Sequence, residues 1–269
     1  ITDVYRKAYE SGARNPLLLR HLAGVAFKDE DYALSASLYE ECLKFRPTTA
    51  NVYNYGLACL RMNDIEKSIS AFSQAVQLDP DHFPSWKNLG IAYSRSKDLD
   101  SALEAMQRAF NLNPSDADTA IYVVKYLKLL GHPEATITAV YQQAYESGAR
   151  DTFLLRHLAR LSSAAGDYDT AASFYTEYLL LNPSAPYYFN LGLSLRKAQR
   201  FHESKEAYLN AVSLDPDYAK AWLNLGYVEA FLNNEAAARN SFQKALEIDP
   251  QYENAHSAME ELNTGNISP

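Results

Sequence analysis

Apolar residues recur along the chain at helical spacing, in pairs of short segments that end at a break. In the clearest pair, 83–116, one segment has apolar or small residues three, one and three positions apart: Trp86, Leu89, Gly90 and Tyr93. They share one face of a predicted helix, and Ala102, Met106 and Ala109 form the matching face of a second. A polar run at 96–98 separates the helices. Pro114 ends the second, because proline disfavours helical geometry in the residue before it. The pattern predicts a helical hairpin.

The hairpin pattern returns along the whole chain. Six prolines close successive copies at intervals of 33, 34, 69, 33 and 34 residues: Pro47, Pro80, Pro114, Pro183, Pro216 and Pro250. Residues 1–14 also match residues 137–150, and Trp86 recurs as Trp222, both at an offset of 136 residues or four times 34. The chain is therefore a doubled block of four repeats. Ile1 begins in mid-repeat, so we expect a longer protein whose preceding residues resemble 117–131.

The spacing W-x2-L-G-x2-Y, then A-x3-M in place of A-x3-F, then proline, resembles the tetratricopeptide repeat. The resemblance covers almost the whole chain. It implies an all-α fold, a right-handed superhelical solenoid of antiparallel helix pairs, in which each repeat packs on its neighbours.

The predicted organisation is a single array of about eight repeats over residues 1–269. Its parts are an orphan second helix at 1–15, repeats at 16–48, 49–82, 83–116, 117–151, 152–184, 185–217 and 218–251, a capping helix at 252–262 and a tail at 263–269. The repeat at 117–151 is degenerate, with Ala120 in place of the tryptophan and Gly148 in place of the proline. It is either a bend between the halves or a drifted repeat, and we favour drift.

Composition narrows the functional classes. A formal charge of −8 and a pI near 5.3 argue against a general nucleic-acid binder, which needs a basic surface. The two cysteines, Cys42 and Cys59, occupy positions for small apolar residues, so we expect buried free thiols. The most apolar predicted helix, 120–130, is too short to span a bilayer, and we predict no direct membrane insertion. The default compartment is cytoplasmic, with a signal upstream of Ile1 left open.

The sequence offers no catalytic constellation. Its glycines are accounted for by helix crossings, turns and caps, which leaves no phosphate-binding loop. None of the six histidines lies three or four residues from another, as a zinc site would favour. We therefore predict a protein that is not an enzyme and uses no metal or other cofactor.

One surface pattern remains. In each first helix, the second, fifth, ninth, twelfth and thirteenth residues form a stripe opposite the core, and we call the set the inner stripe. In the family that this chain resembles, the inner stripe faces a concave groove that holds peptides or partner helices. Twelve inner-stripe residues here are basic and one, Asp118, is acidic. Aromatic residues are interleaved with them. The predicted partner-binding residues are Arg20, Phe27, Tyr53, Arg61, Lys87, Arg95, Lys125, Lys128, Arg156, Arg160, Phe189, Arg196, Lys197 and Tyr227.

Solvation of an ordinary helix face would also explain the lysines and arginines. The charge asymmetry and the interleaved rings favour a functional groove, because exposed rings beside cations are costly unless a partner covers them. Four asparagines one residue before the Leu-Gly or Tyr-Gly pair resemble the residues that hold a peptide backbone in some family members: Asn54, Asn88, Asn190 and Asn224. The ninth position carries no asparagine in any repeat, so the clamp for chaperone tails that the family also uses is not expected here.

We therefore predict a non-catalytic module or scaffold that binds an acidic and apolar peptide or helix in its groove. The alternatives are a substrate-docking or regulatory arm of a larger enzyme, and a scaffold that self-associates through the unpaired helix at 1–14.

Overall fold

The computed structural model describes residues 2–267, which form sixteen helices in two compact units, one ending at Ala149 and the other beginning at Arg150. The N-terminal unit holds α1 (Thr2–Glu10), α2 (Pro16–Lys28), α3 (Tyr32–Leu43), α4 (Thr49–Arg61), α5 (Ile65–Leu78), α6 (Phe83–Arg95), α7 (Leu99–Leu112), α8 (Ala117–Leu129) and α9 (Glu134–Glu146). The C-terminal unit holds α10 (Thr152–Ala164), α11 (Tyr168–Leu181), α12 (Ala185–Lys197), α13 (Phe201–Leu214), α14 (Ala219–Phe231), α15 (Glu235–Ile248) and α16 (Glu253–Thr264). Every regular element within 2–267 is helical, so the all-α prediction is confirmed.

Consecutive helices from α2 to α15 form hairpins, and α2 with α3 is the first of seven such pairs. Each first helix has thirteen residues, which means that a numbered position lies at the same place in every repeat. Each predicted repeat contains one pair. That all seven pairs form one array stays a prediction.

The turn inside each pair has a fixed conformation. One residue there adopts a positive φ, at Glu30, Asn63, Lys97, Gly131, Gly166, Gln199 and Asn233. Four aspartates then cap the second helices by accepting the backbone N–H three residues on: Asp31, Asp64, Asp98 and Asp167. The polar breaks in the sequence are therefore helix starts with their own hydrogen bonds.

The two helices of a pair approach most closely at a glycine. A Cβ on Gly90 would lie 2.7 Å from Cγ of Met106, and a Cβ on Gly192 would lie 2.7 Å from Cε1 of Tyr208. Real Cβ atoms essentially never come so close, so the large side chain of the second helix fills the space above the glycine. The residue opposite the glycine thus forms the centre of the repeat core.

The outermost helices differ from the rest. No residue of α1 is buried, although Tyr5, Ala8 and Tyr9 pack on the core of the next pair, and Val4 is 69% exposed. At the other end α16 buries only Ala255 and Ala258. That mostly exposed face suits a solenoid terminus.

The cysteine prediction is confirmed, since Cys42 and Cys59 are both buried and free. Burial raises the pKa of each thiol. Among the helices of residues 2–267, none is long and apolar enough to cross a membrane.

Candidate partner-binding surface

The inner stripe lies on α2, α4, α6 and α8 of the N-terminal unit and on α10, α12 and α14 of the C-terminal unit. Side chains of the stripe link neighbouring first helices. In the N-terminal unit, Nη1 of Arg95 donates to the carbonyl of Leu60 at 3.1 Å, and Nδ2 of Asn88 donates to the hydroxyl of Tyr53 at 3.2 Å. In the C-terminal unit α12 contacts α14. The stripes of α4 and α6, and those of α12 and α14, therefore lie side by side.

Two stripe positions belong to the core. Leu60 is 6% exposed and Leu223 is 5% exposed, so neither is available to a partner. In contrast, Leu17, Leu129 and Phe153 are exposed. The helical period places a residue on a face, but the next repeat decides how much of it is covered.

The predicted aromatic anchors are half-buried, which corrects the expectation of exposed rings. Each ring lies close to another ring of the chain, and the distances between ring centroids are as follows: Phe27 to Tyr32, 5.2 Å; Tyr53 to His82, 5.2 Å; Phe189 to Tyr218, 5.2 Å; and Tyr227 to Phe242, 5.4 Å. Part of each ring thus packs against its own chain. Because the rings are already partly covered, no partner is needed to bury them. They are therefore weaker evidence for a partner-binding groove than the exposed rings that the sequence predicted.

Phe153 is one of two aromatic residues of the inner stripe that the predicted set omitted, the other being Phe231. The side chain of Phe153 is 52% exposed, and the guanidinium of Arg156 lies 5.0 Å from its ring centroid. With Arg160 one turn further on, α10 presents an exposed ring followed by two cations. Its place on the stripe was visible in the sequence, whereas its exposure was not.

The cations of the inner stripe differ from the other cations of the chain. The twelve are Arg20, Lys28, Arg61, Lys87, Arg95, Lys125, Lys128, Arg156, Arg160, Arg196, Lys197 and Lys220. Within residues 2–267, one of these twelve forms an ion pair with a carboxylate, whereas seven of the other thirteen lysines and arginines do. The inner stripe therefore keeps its positive charge unneutralised inside a net negative chain.

Lys87 is the paired exception, which removes it as a free cation of the predicted site. Its Nζ lies 2.8 Å from Oδ1 of Asp116 and 3.6 Å from Oδ2 of Asp118, the one acidic residue of the stripe. Burial raises the pKa of Asp116, but hydrogen bonds from Lys87 and Thr119 outweigh it, and the pKa is lowered. Because Asp116 also caps α8, the pair joins α6 to the start of the next first helix.

Two of the four asparagines bond within their own chain. Nδ2 of Asn88 donates to the carbonyl of Pro84, and Nδ2 of Asn224 to that of Lys220, each at 2.9 Å. A role in holding a partner backbone stays a prediction, and it would require those amide groups to exchange partners or accept through their oxygens.

Three polar atoms of the C-terminal unit are buried and lack a well-formed hydrogen bond to any residue that the structure describes. They are the hydroxyl of Ser184, Nε of Arg196, on the inner stripe of α12, and the hydroxyl of Tyr208 on α13. Burial raises the pKa of Tyr208, and the nearby side chains of Arg196 and Ser204 partly offset that effect. The polar neighbours of the Tyr208 hydroxyl are therefore those two side chains.

Comparison with known proteins identifies the repeats. Family profiles described as Tetratricopeptide repeat match residues 51–82, 83–116, 154–186 and 189–253. Protein O-mannosyl-transferase TMTC3 of Homo sapiens is 25% identical over 241 residues, which is 88% of this chain and 24% of that protein. DnaJ homolog subfamily C member 7 of Mus musculus is 30% identical over 123 residues, covering 43% of this chain and 25% of the relative.

A solved structure shares the fold. The tetratricopeptide repeat protein YrrB, described as having an unusual peptide-binding site, aligns with a TM-score of 0.54 and 20% identity over 71% of this chain and 99% of YrrB. The chain spans a quarter or less of the length of the two curated relatives named above. The repeat period, the helix pairs and the profile matches agree, and the chain belongs to the tetratricopeptide repeat family.

Proposed function

We propose that this chain is a protein-interaction module whose inner stripe binds an extended or helical segment carrying acidic residues beside apolar ones. The proposal rests on the difference in ion pairing between the inner-stripe cations and the other lysines and arginines of the chain. Eleven stripe cations within residues 2–267 lack a carboxylate partner, although acidic residues outnumber basic ones by 33 to 25. A surface exposed only to water would be expected to pair its cations as often as the rest of the chain does.

The two kinds of side chain contribute differently. An exposed ion pair contributes about 0–1 kcal/mol, so the cations mainly set association rate and salt dependence. An aromatic ring that becomes buried contributes more to affinity. Phe153 is the ring suited to a test, because Tyr53 also packs on its own chain and its removal would lower stability as well as binding. We therefore expect Phe153→Ala to cost more affinity than loss of Arg156 or Arg160 alone.

The test is a double charge reversal, Arg156→Glu with Arg160→Glu. No carboxylate of the described residues pairs with either arginine, so reversal breaks no ion pair. The matched control reverses Arg239 and Lys244, which lie on α15 and pair with acids of that helix. Both variants change the net charge by the same amount. Binding of peptides selected from a random library is measured at two salt concentrations.

We expect the reversal on α10 to weaken binding by about tenfold or more at low salt. The effect should be smaller at high salt, because salt screens both the attraction of the arginines for an acidic partner and the repulsion from the introduced glutamates. The control should bind like the wild type. Equal losses in the two variants would show that net charge alone controls binding, and unchanged binding in both would place the binding surface elsewhere.

A second candidate function is favoured by the similarity to O-mannosyl-transferase TMTC3. In it, the repeats are a non-catalytic docking arm of a larger enzyme. The reversal on α10 distinguishes the two candidates. If the repeats are a docking arm, the reversal should lower the turnover of some protein substrates by the whole enzyme and leave the turnover of others unchanged.

A further inference from the structure

A groove of the N-terminal unit lies apart from the inner stripe. Helices α1 and α3 form its walls and α2 forms its floor, so we call it the α2 groove, and none of its lining residues belongs to the stripe. Its volume is about 430 Å³, within the range of roughly 300–1,000 Å³ that is typical of ligand sites. The floor and one wall are apolar, with Leu22, Val25 and Ala26 on α2 and Leu34 and Leu38 on α3.

Leu34 is the most exposed apolar residue of the α2 groove. It is the third residue of α3, and its side chain is 45% exposed. The third residues of the six other second helices are polar or small: Lys67, Ser101, Thr136, Thr170, Glu203 and Ala237. The repeat therefore does not require a leucine at this position, and the leucine leaves apolar surface in contact with water.

The equivalent groove of the C-terminal unit is charged instead. It lies between α11, α12 and α13, and its Arg200 and Glu203 occupy the positions of Asp31 and Leu34. Nη1 of Arg200 donates to Oδ1 of Asp169 on α11 at 2.9 Å, and Nη2 donates to Oε2 of Glu203 at 2.6 Å. The charged groups of that groove thus pair with one another, whereas Leu34 makes the α2 groove apolar.

Tyr9 forms a wall of the α2 groove that the chain itself holds in place. The guanidinium of Arg14 lies 3.8 Å from its ring centroid, and its hydroxyl donates to Oε2 of Glu41 on α3 at 3.4 Å. Nε of Arg14 also lies 2.7 Å from Oε1 of Glu41. The end of α1 is therefore attached to α3, and the groove exists before any partner binds. A preformed site lowers the cost of binding.

The charges at the rim of the α2 groove favour a cationic partner. Glu10, Asp29 and Asp31 are exposed there together with one cation, Arg6. Asp31 caps α3, and the other three form no ion pair within residues 2–267. Three carboxylates and one guanidinium around an apolar floor complement an apolar side chain that has a positive charge beside it.

We propose that the α2 groove binds a peptide segment that inserts a large apolar side chain, such as leucine, methionine or phenylalanine, with a lysine or arginine next to it. Leu34 and the floor would contact the apolar side chain, and Glu10 and Asp29 would attract the cation. The segment is opposite in charge to the one proposed for the inner stripe. The two proposals rest on different surfaces, so either can fail without the other.

The test starts from phage-displayed random twelve-residue peptides, selected on the wild-type chain in the presence of excess soluble Leu34→Thr chain. The competitor removes peptides that bind elsewhere, and its threonine copies Thr170 at the corresponding position of α11. The affinity of the best selected peptide is then measured by fluorescence anisotropy. The matched control is Leu180→Thr, which changes a leucine of α11 that is 80% exposed and lies outside the α2 groove.

We expect Leu34→Thr to weaken binding by about tenfold or more, because the apolar contact supplies most of the affinity. Leu180→Thr should bind like the wild type. The thermal unfolding midpoint of Leu34→Thr should stay close to that of the wild type, since the side chain is exposed and threonine occurs at this position in two other second helices. Replacing the apolar anchor of the peptide by alanine should abolish the difference between wild type and Leu34→Thr.

A second pair of variants tests the charge of the rim. Glu10→Gln with Asp29→Asn neutralises two rim acids, and the control, Asp100→Asn with Glu104→Gln, neutralises two exposed acids of α7. We expect the rim variant to weaken binding by about threefold to tenfold at low salt and less at high salt, while the control binds like the wild type.

Several results would overturn the proposal. Enrichment of no peptide over the competitor would do so, as would peptides without a lysine or arginine beside their apolar anchor, or equal affinities for Leu34→Thr and Leu180→Thr. If sedimentation shows a dimeric wild type and a monomeric Leu34→Thr, a second copy of the chain occupies the groove and the proposal is wrong. The reversal of Arg156 and Arg160 should leave binding of these peptides unchanged, and a loss there would place them on the inner stripe.

Discussion

A buried ion pair in the C-terminal unit allows the packing of the repeats to be tested quantitatively. Glu229 is 5% exposed on α14, and its Oε1 lies 2.9 Å from Nζ of Lys205 on α13. Its Oε2 accepts a hydrogen bond of 2.8 Å from Nδ2 of Asn234. The corresponding eleventh residues of α8 and α12, Leu127 and Leu195, are buried and apolar. The carboxylate therefore sits at a core position and depends on its two partners.

The expected cost of Lys205→Met follows from this geometry. Removing one partner of a buried ion pair typically costs about 3–5 kcal/mol, because the remaining charge stays buried. Here the side chain of Lys205 is 29% exposed and the Asn234 bond survives, so we expect a cost below that range, about 2–3 kcal/mol. Glu229→Leu should cost less, about 1 kcal/mol, since the freed ammonium can turn towards water.

The double variant separates burial of charge from loss of packing. Lys205→Met with Glu229→Leu replaces the pair by apolar groups, as Leu195 already does in α12, and such replacements are often neutral or stabilising. We expect the double variant to be within about 1 kcal/mol of wild type, so that the coupling between the two sites is about 2 kcal/mol or more.

The assay uses tryptophan fluorescence during urea unfolding. The chain has two tryptophans, Trp86 and Trp222, and the second lies on α14 with Glu229. In a Trp86→Phe background the signal comes from the C-terminal unit alone, which avoids averaging over repeats that unfold separately. Additive losses in the double variant, or a loss below about 0.5 kcal/mol for Lys205→Met, would refute the reasoning.

Four further predictions concern single substitutions, and the stability of each variant is measured by chemical denaturation. Gly24→Ala should stabilise the fold by about 0.5–1 kcal/mol, since Gly24 is helical and an added Cβ would make an ordinary van der Waals contact. Gly166→Ala should destabilise the fold by about 1 kcal/mol, because Gly166 has a φ of +80°, which is unfavourable for alanine. Gly226→Ala should cost about 1–3 kcal/mol, because its Cβ would overlap the ring of Phe242. Asp116 has a lowered pKa, so it stabilises the fold above the ordinary aspartate pKa near 3.9, and this contribution is lost as the pH falls through the lowered value. Asp116→Asn should accordingly be less stable than wild type at pH 7, with the difference shrinking below about pH 4; a constant difference would contradict this.

The fold could be predicted because the same helix-turn-helix pattern recurs many times along the sequence. Any one hairpin, such as 83–116, is ambiguous, but a spacing that returns at a fixed period identifies both helices and the turn between them. The positive φ of Lys97 and its equivalents could not be predicted from their residue types, since lysine, glutamate and glutamine do not favour that region. The short connection between packed helices imposes it.

The candidate site was predictable as a face and less so as a set of contacts. Position along α6 places Lys87 on the inner stripe, yet its charge is taken up by Asp116, 29 residues later in the chain. Likewise the fifth position places Tyr53 and Phe189 on the stripe. The rings that half-cover them come from the N-cap residues of the next first helices, His82 and Tyr218. Such contacts depend on the rotation between adjacent repeats, which periodicity alone does not specify.

Two buried polar residues of the C-terminal unit occupy positions that are apolar in other repeats, and they differ in how well their polar groups are hydrogen-bonded. Glu229 breaks the apolar rule of its position, but its partners satisfy both oxygens within the fold. Tyr208 departs by one hydroxyl, which lies beside Arg196 and Ser204 without a well-formed hydrogen bond to either. Removing a partner of a well-bonded buried charge should lower stability, whereas removing a poorly bonded hydroxyl should not. Opposite signs for Lys205→Met and Tyr208→Phe in the same unfolding assay would therefore show that the fold depends on the partners of the carboxylate and not on the hydroxyl.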